Sequence, residues 1–113
     1  MEVTKDDGRM MEIFHLQAEF CKSLADPNRL MIIHELRNGA KSVAELAEIL
    51  GLKQSNTSQH LAVLRKAGVV VSQRKVNAMY YSLTNPNIIA ACDMVREVIA
   101  GQLERSQTLM EVI

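Results

Sequence analysis

Short amide and hydroxyl side chains are concentrated in one stretch of the sequence. A Gln or Asn side chain donates and accepts hydrogen bonds at once, which bidentate contact with the edge of adenine requires. Hydroxyl groups bond phosphates or bases, and the N-terminus of a helix adds free backbone amides. The stretch therefore predicts contact with DNA, and the alternative is a helix face that is only solvated. Its residues are Gln54, Ser55, Asn56, Thr57, Ser58 and Gln59.

The charges are segregated along the chain. The formal net charge is zero, yet no acidic residue lies between Glu48 and Asp93. A polyanion responds to the local patch rather than to the total charge, so this stretch favours nucleic acid. Its basic residues are Lys53, Arg65, Lys66, Arg74 and Lys75. All of these except Lys66 are predicted to contact DNA.

Three further residues complete the predicted DNA-binding set: Ser42, His60 and Asn77. Asn77 suits the turn of a hairpin with a basic tip. For His60 two interpretations stay open, since the ring either reaches a phosphate or braces its helix from a half-buried position. His34 lies beside two isoleucines and is interpreted as structural.

Hydrophobic periodicity and capping signals predict the elements that position these residues. The pair Asp26-Pro27 starts a helix, and Ser42 with Glu45 has the spacing of a capping box. Helices are predicted over about 10–24, 27–38, 43–50, 55–67 and 86–113, and strands over about 69–75 and 79–83.

The resulting order is α-α-α-α-β-β-α, a mainly α fold with a β-hairpin wing. Two short helices joined by a tight turn, followed by a basic hairpin, are typical of a winged helix-turn-helix. With 113 residues the chain suits one domain. We expect residues 1–9 to be a flexible tail and residues 10–113 to form the domain.

Composition excludes several classes of protein. No apolar run is long enough for a membrane span, and the polar start has no signal-peptide core, so a cytoplasmic protein is expected. No Ser/His/Asp set, glycine-rich phosphate loop or carboxylate pair stands at useful spacing, so no enzyme is predicted. The seven methionines are interpreted as core filler, with metal-binding thioethers as the alternative.

Four runs of the sequence resemble the ArsR/SmtB family of bacterial and archaeal repressors. They are LADPNRL at 24–30, VAELA at 43–47, QSNTSQHLAVLRKAGVV at 54–70 and YYSL at 80–83. The likeness covers about residues 15–103. It implies a homodimer that pairs through its first and last helices, binds a palindromic operator in double-stranded DNA, and releases it when an effector binds.

The family's metal-binding residues are missing from this sequence. Arsenic and cadmium sensors carry Cys-Val-Cys where this chain has Ser42-Val43-Ala44, and sulfide sensors carry Cys at the place of His34. Zinc and cobalt sensors carry Asp/His and His/Glu pairs where it has Asn85, Asn87, Val98 and Gly101. Since Val and Gly cannot coordinate a metal, no metal site and no cofactor are predicted, and the effector stays unknown.

Cys21 and Cys92 are the remaining effector candidates. They lie on the first and last predicted helices, where adjoining thiols can pair, bind a soft metal or react with an oxidant. The alternative is that both are ordinary core residues, since each lies on an apolar stripe.

An alternative function for the whole fold is a winged helix used only for protein contact. The polar residues at 54–59 disfavour it, because an interface core favours aromatics or Met.

Overall fold

Within its described part, residues 8–112, the chain forms five α-helices and a small sheet. The computed structural model describes residues 8–112, with side chains except those of 108–110 and 112. The helices are α1 (Arg9–Ser23), α2 (Pro27–Glu35), α3 (Val43–Leu50), α4 (Gln54–Lys66) and α5 (Asn87–Val112). The strands are β1 (Lys41–Ser42), β2 (Val70–Lys75) and β3 (Ala78–Leu83). Most of the predicted tail, residues 1–7, lies outside the described residues, and α1 begins at Arg9.

Capping sets the start of α2. The Asp26 carboxylate accepts hydrogen bonds from the backbone amides of Asn28 at 2.9 Å and Arg29 at 3.1 Å. These bonds satisfy donors that have no partner within the helix. They also hold the pKa of Asp26 below its ordinary value. The predicted α-helix over 27–38 is too long, because α2 ends at Glu35 and a 3₁₀ turn, Leu36–Asn38, follows.

A complete capping box starts α3. The Ser42 hydroxyl accepts from the Glu45 amide at 3.2 Å, and the Glu45 carboxylate accepts from the Ser42 amide at 3.0 Å. Gly51 ends the helix with φ of 68°, a left-handed conformation that Gly adopts at little cost. This end allows α4 to start after only two further residues.

The sheet has three antiparallel strands in the order β1-β3-β2. Val70 pairs with Leu83 and Lys75 with Ala78, so β2 and β3 form the predicted hairpin. The sequence prediction missed β1, in which Ser42 pairs with Tyr80. Two residues are too few to show the alternation that marks a strand. The observed order is therefore α-α-β-α-α-β-β-α.

Branched aliphatic side chains fill the core. Its buried residues come from α2, the 3₁₀ turn, α3, α4 and the start of the sheet: Ile32, Ile33, Leu36, Leu46, Leu61, Leu64, Val69 and Val70. The prediction that methionines fill the core is wrong for the single chain, because Met10, Met11, Met31 and Met94 are all more than 40% exposed.

Helix α5 begins one turn after Thr84. The Asn85 side chain accepts from the backbone amide of Asn87 at 2.8 Å, which satisfies one of the free amides at the start of the helix. The helix passes Gly101 without interruption and continues to Val112. Within residues 8–112, no helix combines the length and apolar character that crossing a bilayer requires.

Candidate nucleic-acid interface

Helix α4 has a buried face and an exposed polar face. Thr57, Leu61 and Leu64, spaced at i, i+4 and i+7, are completely buried. The exposed polar residues of its first half, here called the reading face, are Gln54, Ser55, Asn56, Ser58 and Gln59. At 100° per residue Ser55, Ser58 and Gln59 point away from the buried residues, and Gln54 and Asn56 lie at the two edges. The structure thus exposes five predicted DNA contacts together on the first half of α4.

Thr57 does not belong to that surface. Its hydroxyl donates to the Lys53 carbonyl at 3.0 Å inside the protein. The prediction that Thr57 bonds phosphate or bases is therefore wrong. The repeat that it forms with Leu61 and Leu64 is the signal that places it inward.

The start of α4 is suited to an anion. Lys53 is the N-cap residue and is exposed, and its side chain does not cap the helix. No acidic residue lies in the first turn, so the positive end of the helix dipole and its free amides are not neutralised locally. A phosphate group would meet both the backbone donors and the Lys53 charge.

The β2–β3 hairpin, here called the wing, extends basic groups beyond the core. Arg74 and Asn77 are exposed, as is Lys75, whose ammonium lies 5.5 Å from the centroid of the Tyr80 ring. That distance is within the range of a cation–π contact, which orients the ammonium. Arg65 of α4 donates to the Ser72 hydroxyl of β2 at 3.5 Å, so α4 and the base of the wing are in contact.

Two residues of the predicted DNA-binding set lie elsewhere. Ser42 is 7% exposed, and its hydroxyl caps α3, so the prediction that it contacts DNA is wrong. His60 is one-fifth exposed, and its Nδ1 lies 3.8 Å from an Asp26 oxygen and 3.4 Å from an Arg29 nitrogen. These contacts favour the bracing role for His60, since its ring joins α4 to the start of α2.

The two thiols have different surroundings. Cys21 is exposed on α1, whereas Cys92 on α5 is partly buried against the core. Burial raises the pKa of the Cys92 thiol, Arg96 opposes the increase, and Asp93 and Cys21 add to it. Within the part of the chain that is described, no three His, Cys, Asp or Glu side chains are grouped to hold a metal ion.

An ion-pair cluster joins α5 to the segment that follows α2. The Asp93 carboxylate accepts from Arg37 at 2.8 Å and from Arg96 at 2.9 Å. The Arg37 hydrogen bond lowers the pKa of Asp93. Sequence reasoning missed this cluster, because Arg37 and Asp93 are 56 residues apart and only the i, i+3 pair is visible locally.

Comparison with known proteins places this surface in context. Residues 26–72 match the family described as bacterial regulatory protein, arsR family. The uncharacterized HTH-type transcriptional regulator Rv0081 of Mycobacterium tuberculosis (strain ATCC 25618 / H37Rv) is 42% identical over 100 residues, which are 88% of each chain. Its crystal structure superposes with a TM-score of 0.74 at 44% identity and covers 82% of this chain and 94% of that one.

Two further proteins extend the comparison. The biofilm growth-associated repressor of Xylella fastidiosa (strain 9a5c) is 40% identical over 85 residues, 75% of each chain. The solution structure of Mb0332 from Mycobacterium bovis is described as a homodimeric winged helix-turn-helix DNA-binding domain. It has a TM-score of 0.80 and covers 91% of this chain and 95% of that one, but at 24% identity it shows the fold alone.

The fold and these likenesses define a winged helix-turn-helix transcriptional regulator, not an enzyme. The predicted fold class is confirmed. The chain belongs to the arsR family of bacterial regulatory proteins, as the resemblance of its sequence motifs implied.

Proposed function

We propose that this chain is a cytoplasmic, homodimeric repressor that binds a palindromic operator and releases it when an effector binds. The observation that carries the proposal is the reading face of α4, a row of exposed amides and hydroxyls behind which the helix is fully packed. Such a helix enters the major groove, about 12 Å wide, without inserting bulky apolar side chains.

The reading face and the wing have different tasks in this proposal. Gln54, Asn56 and Gln59 read base edges, since an amide matches the acceptor and donor of adenine. Arg74 and Lys75 of the wing contact the sugar-phosphate backbone, which fixes the register without reading sequence. Lys53 and the first amides of α4 hold a phosphate at the edge of the groove.

Exposed apolar residues on α1 and α5 support the homodimer. Met10 and Phe14 on α1, with Val95, Ile99 and Leu103 on α5, are each between 42% and 62% exposed. A monomer rarely leaves so many large apolar side chains in water on two helices. Two-fold pairing through these helices covers them and presents two reading faces, which a palindrome matches. Mb0332, which shares the fold, is described as homodimeric.

The thiols are candidates for the effector response. Cys21 is exposed and Cys92 lies on α5, so a change at either thiol acts on helices that the proposed dimer uses. Substitution of each cysteine by serine tests this part of the proposal. If both Cys21→Ser and Cys92→Ser release DNA as the wild type does under oxidants and soft metals, the thiols are not the response site.

A gel shift with the protein's own promoter region tests DNA binding. Ser58→Ala with Gln59→Ala should remove the preference for the operator over unrelated DNA. Arg74→Ala with Lys75→Ala should weaken binding to both DNAs alike and lower the salt dependence by about one unit of slope per lost phosphate contact.

The two double variants serve as controls for each other. If they behave identically, the division between reading face and wing is wrong. If the wild-type protein binds no DNA at low salt, the chain uses its winged helix for protein contact instead.

A further inference from the structure

A groove of about 690 Å³ lies between α1 and the second half of α4. Its apolar lining comes from Leu16 and Phe20 of α1 and from Val63 and Ala67 at the end of α4. The volume falls within the roughly 300–1,000 Å³ typical of small-molecule sites, which are mostly apolar with a few polar groups. The groove is thus large enough for a small organic molecule.

The charged groups of the groove favour an anion. Lys22, Arg29 and Lys66 line it together with a single acid, Glu19. The cations outnumber the acid, and the apolar walls lower the local dielectric that a charge experiences. The ligand with matching chemistry has an apolar body and one anionic head group.

The groove is separate from the apolar stripe that the proposed dimer uses. At 100° per residue, the direction of Leu16 and Phe20 on α1 is about 120° away from that of Met10, Phe14 and Cys21. Dimerisation through the second set leaves the first set on another side of the helix. A second copy of the chain is therefore not the occupant that this geometry favours.

The groove is physically connected to the reading face. Val63 and Lys66 lie on α4 itself, and the guanidinium of Arg29 contacts two other elements. Its Nε donates to the Ser23 carbonyl at the end of α1 at 2.7 Å, and its Nη1 lies 3.4 Å from Nδ1 of His60 on α4. An anion that draws Arg29 toward itself changes the contact of Arg29 with His60 on α4.

We propose that this groove binds a small amphipathic monoanion, such as a carboxylate with an apolar tail, and that its occupation weakens DNA binding. The second part rests on the proposed function and names the chemical class of its effector. Such a ligand acts only if it binds the DNA-free arrangement of α4 better than the DNA-bound one. By linkage, DNA then weakens anion binding by the same factor.

Calorimetric titration of the full chain with octanoate tests the site without DNA. Octanoate should bind saturably, and octan-1-ol, which has the same tail and no charge, should bind at least about tenfold more weakly. Lys22→Gln with Lys66→Gln should weaken octanoate binding about tenfold, since two partly solvated ion pairs are lost. Lys41→Gln with Arg105→Gln removes the same charge outside the groove and should change little.

Different results contradict the binding site itself and its separation from the dimer interface. The absence of saturable octanoate binding, or equal weakening in both double variants, overturns the proposed site. Leu16→Asp should abolish octanoate binding and leave the sedimentation coefficient unchanged. A change in assembly state instead shows that a second copy covers the groove.

Gel shifts with the promoter DNA test the coupling. Saturating octanoate should lower the affinity for DNA, and unchanged affinity overturns the effector role. Failure of the ligand-free protein to bind DNA contradicts the proposed function instead. Octanoate binding in the groove is measured without DNA, so that result stands independently.

Discussion

Substitutions at Thr57 test how α4 is rotated about its axis. The Lys53 carbonyl accepts both the Thr57 hydroxyl and the Thr57 backbone amide, each at 3.0 Å. Thr57→Val keeps the shape of the side chain and leaves that carbonyl with its backbone donor. The expected loss in the free energy of unfolding is at most one net hydrogen bond, about 0.5–1.5 kcal/mol, partly offset by the added buried methyl group. Thr57→Ser keeps the hydroxyl and removes a buried methyl, which costs about 1 kcal/mol or somewhat more if a cavity remains.

Urea unfolding at one fixed protein concentration measures these changes, since assembly alters apparent stability. Both variants should retain the preference for the operator, because Thr57 faces the core. Ser58→Ala is the matched control at the next, exposed position. It should change the free energy of unfolding by less than about 0.5 kcal/mol and reduce the operator preference. Loss of DNA binding in Thr57→Val at unchanged stability would refute the orientation of α4 described above.

Three further predictions concern stability and thiol reactivity. Ser42→Ala should lower the free energy of unfolding by about 1 kcal/mol in urea, since it removes half of a capping box, and should leave DNA binding intact. Asp93→Asn should lower the urea midpoint at pH 7. Because the folded-state pKa of Asp93 is lowered, the difference from wild type should be complete above pH 3.8 and disappear as the pH falls further. In a thiol titration at pH 8 with Ellman's reagent, Cys21→Ser should remove the faster phase and Cys92→Ser the slower one, since burial raises the pKa of Cys92.

Features encoded by neighbouring residues could be predicted from the sequence. The capping box of Ser42 and Glu45 fixed the start of α3, and its predicted range agrees with the structure. The β2–β3 hairpin followed from a change of period and a turn residue. In each case the contacts that determine the element join residues a few positions apart, so a short stretch of sequence contains the whole signal.

Features that depend on distant partners could not be predicted. Strand β1 exists because Lys41 and Ser42 meet β3 about 40 residues later. Val63 has the character of a core residue, yet it is 41% exposed and lines the groove beside α1. Neither fact is visible until the helices are placed in space, since burial is a property of the packed chain.

The packing of α4 explains why the fold is easier to infer than the operator. Thr57, Leu61 and Leu64 fix the rotation of the helix because turning it by one residue, about 100°, would bury Asn56 or Ser58, depending on the direction, and expose both leucines. Each of those changes costs several times the thermal energy. The reading face makes no contribution to this core, so substitutions there should leave the orientation of α4 intact and, under the proposed function, change the bases that are preferred. The proposed function thus assigns stability to the buried side of α4 and sequence preference to its exposed side.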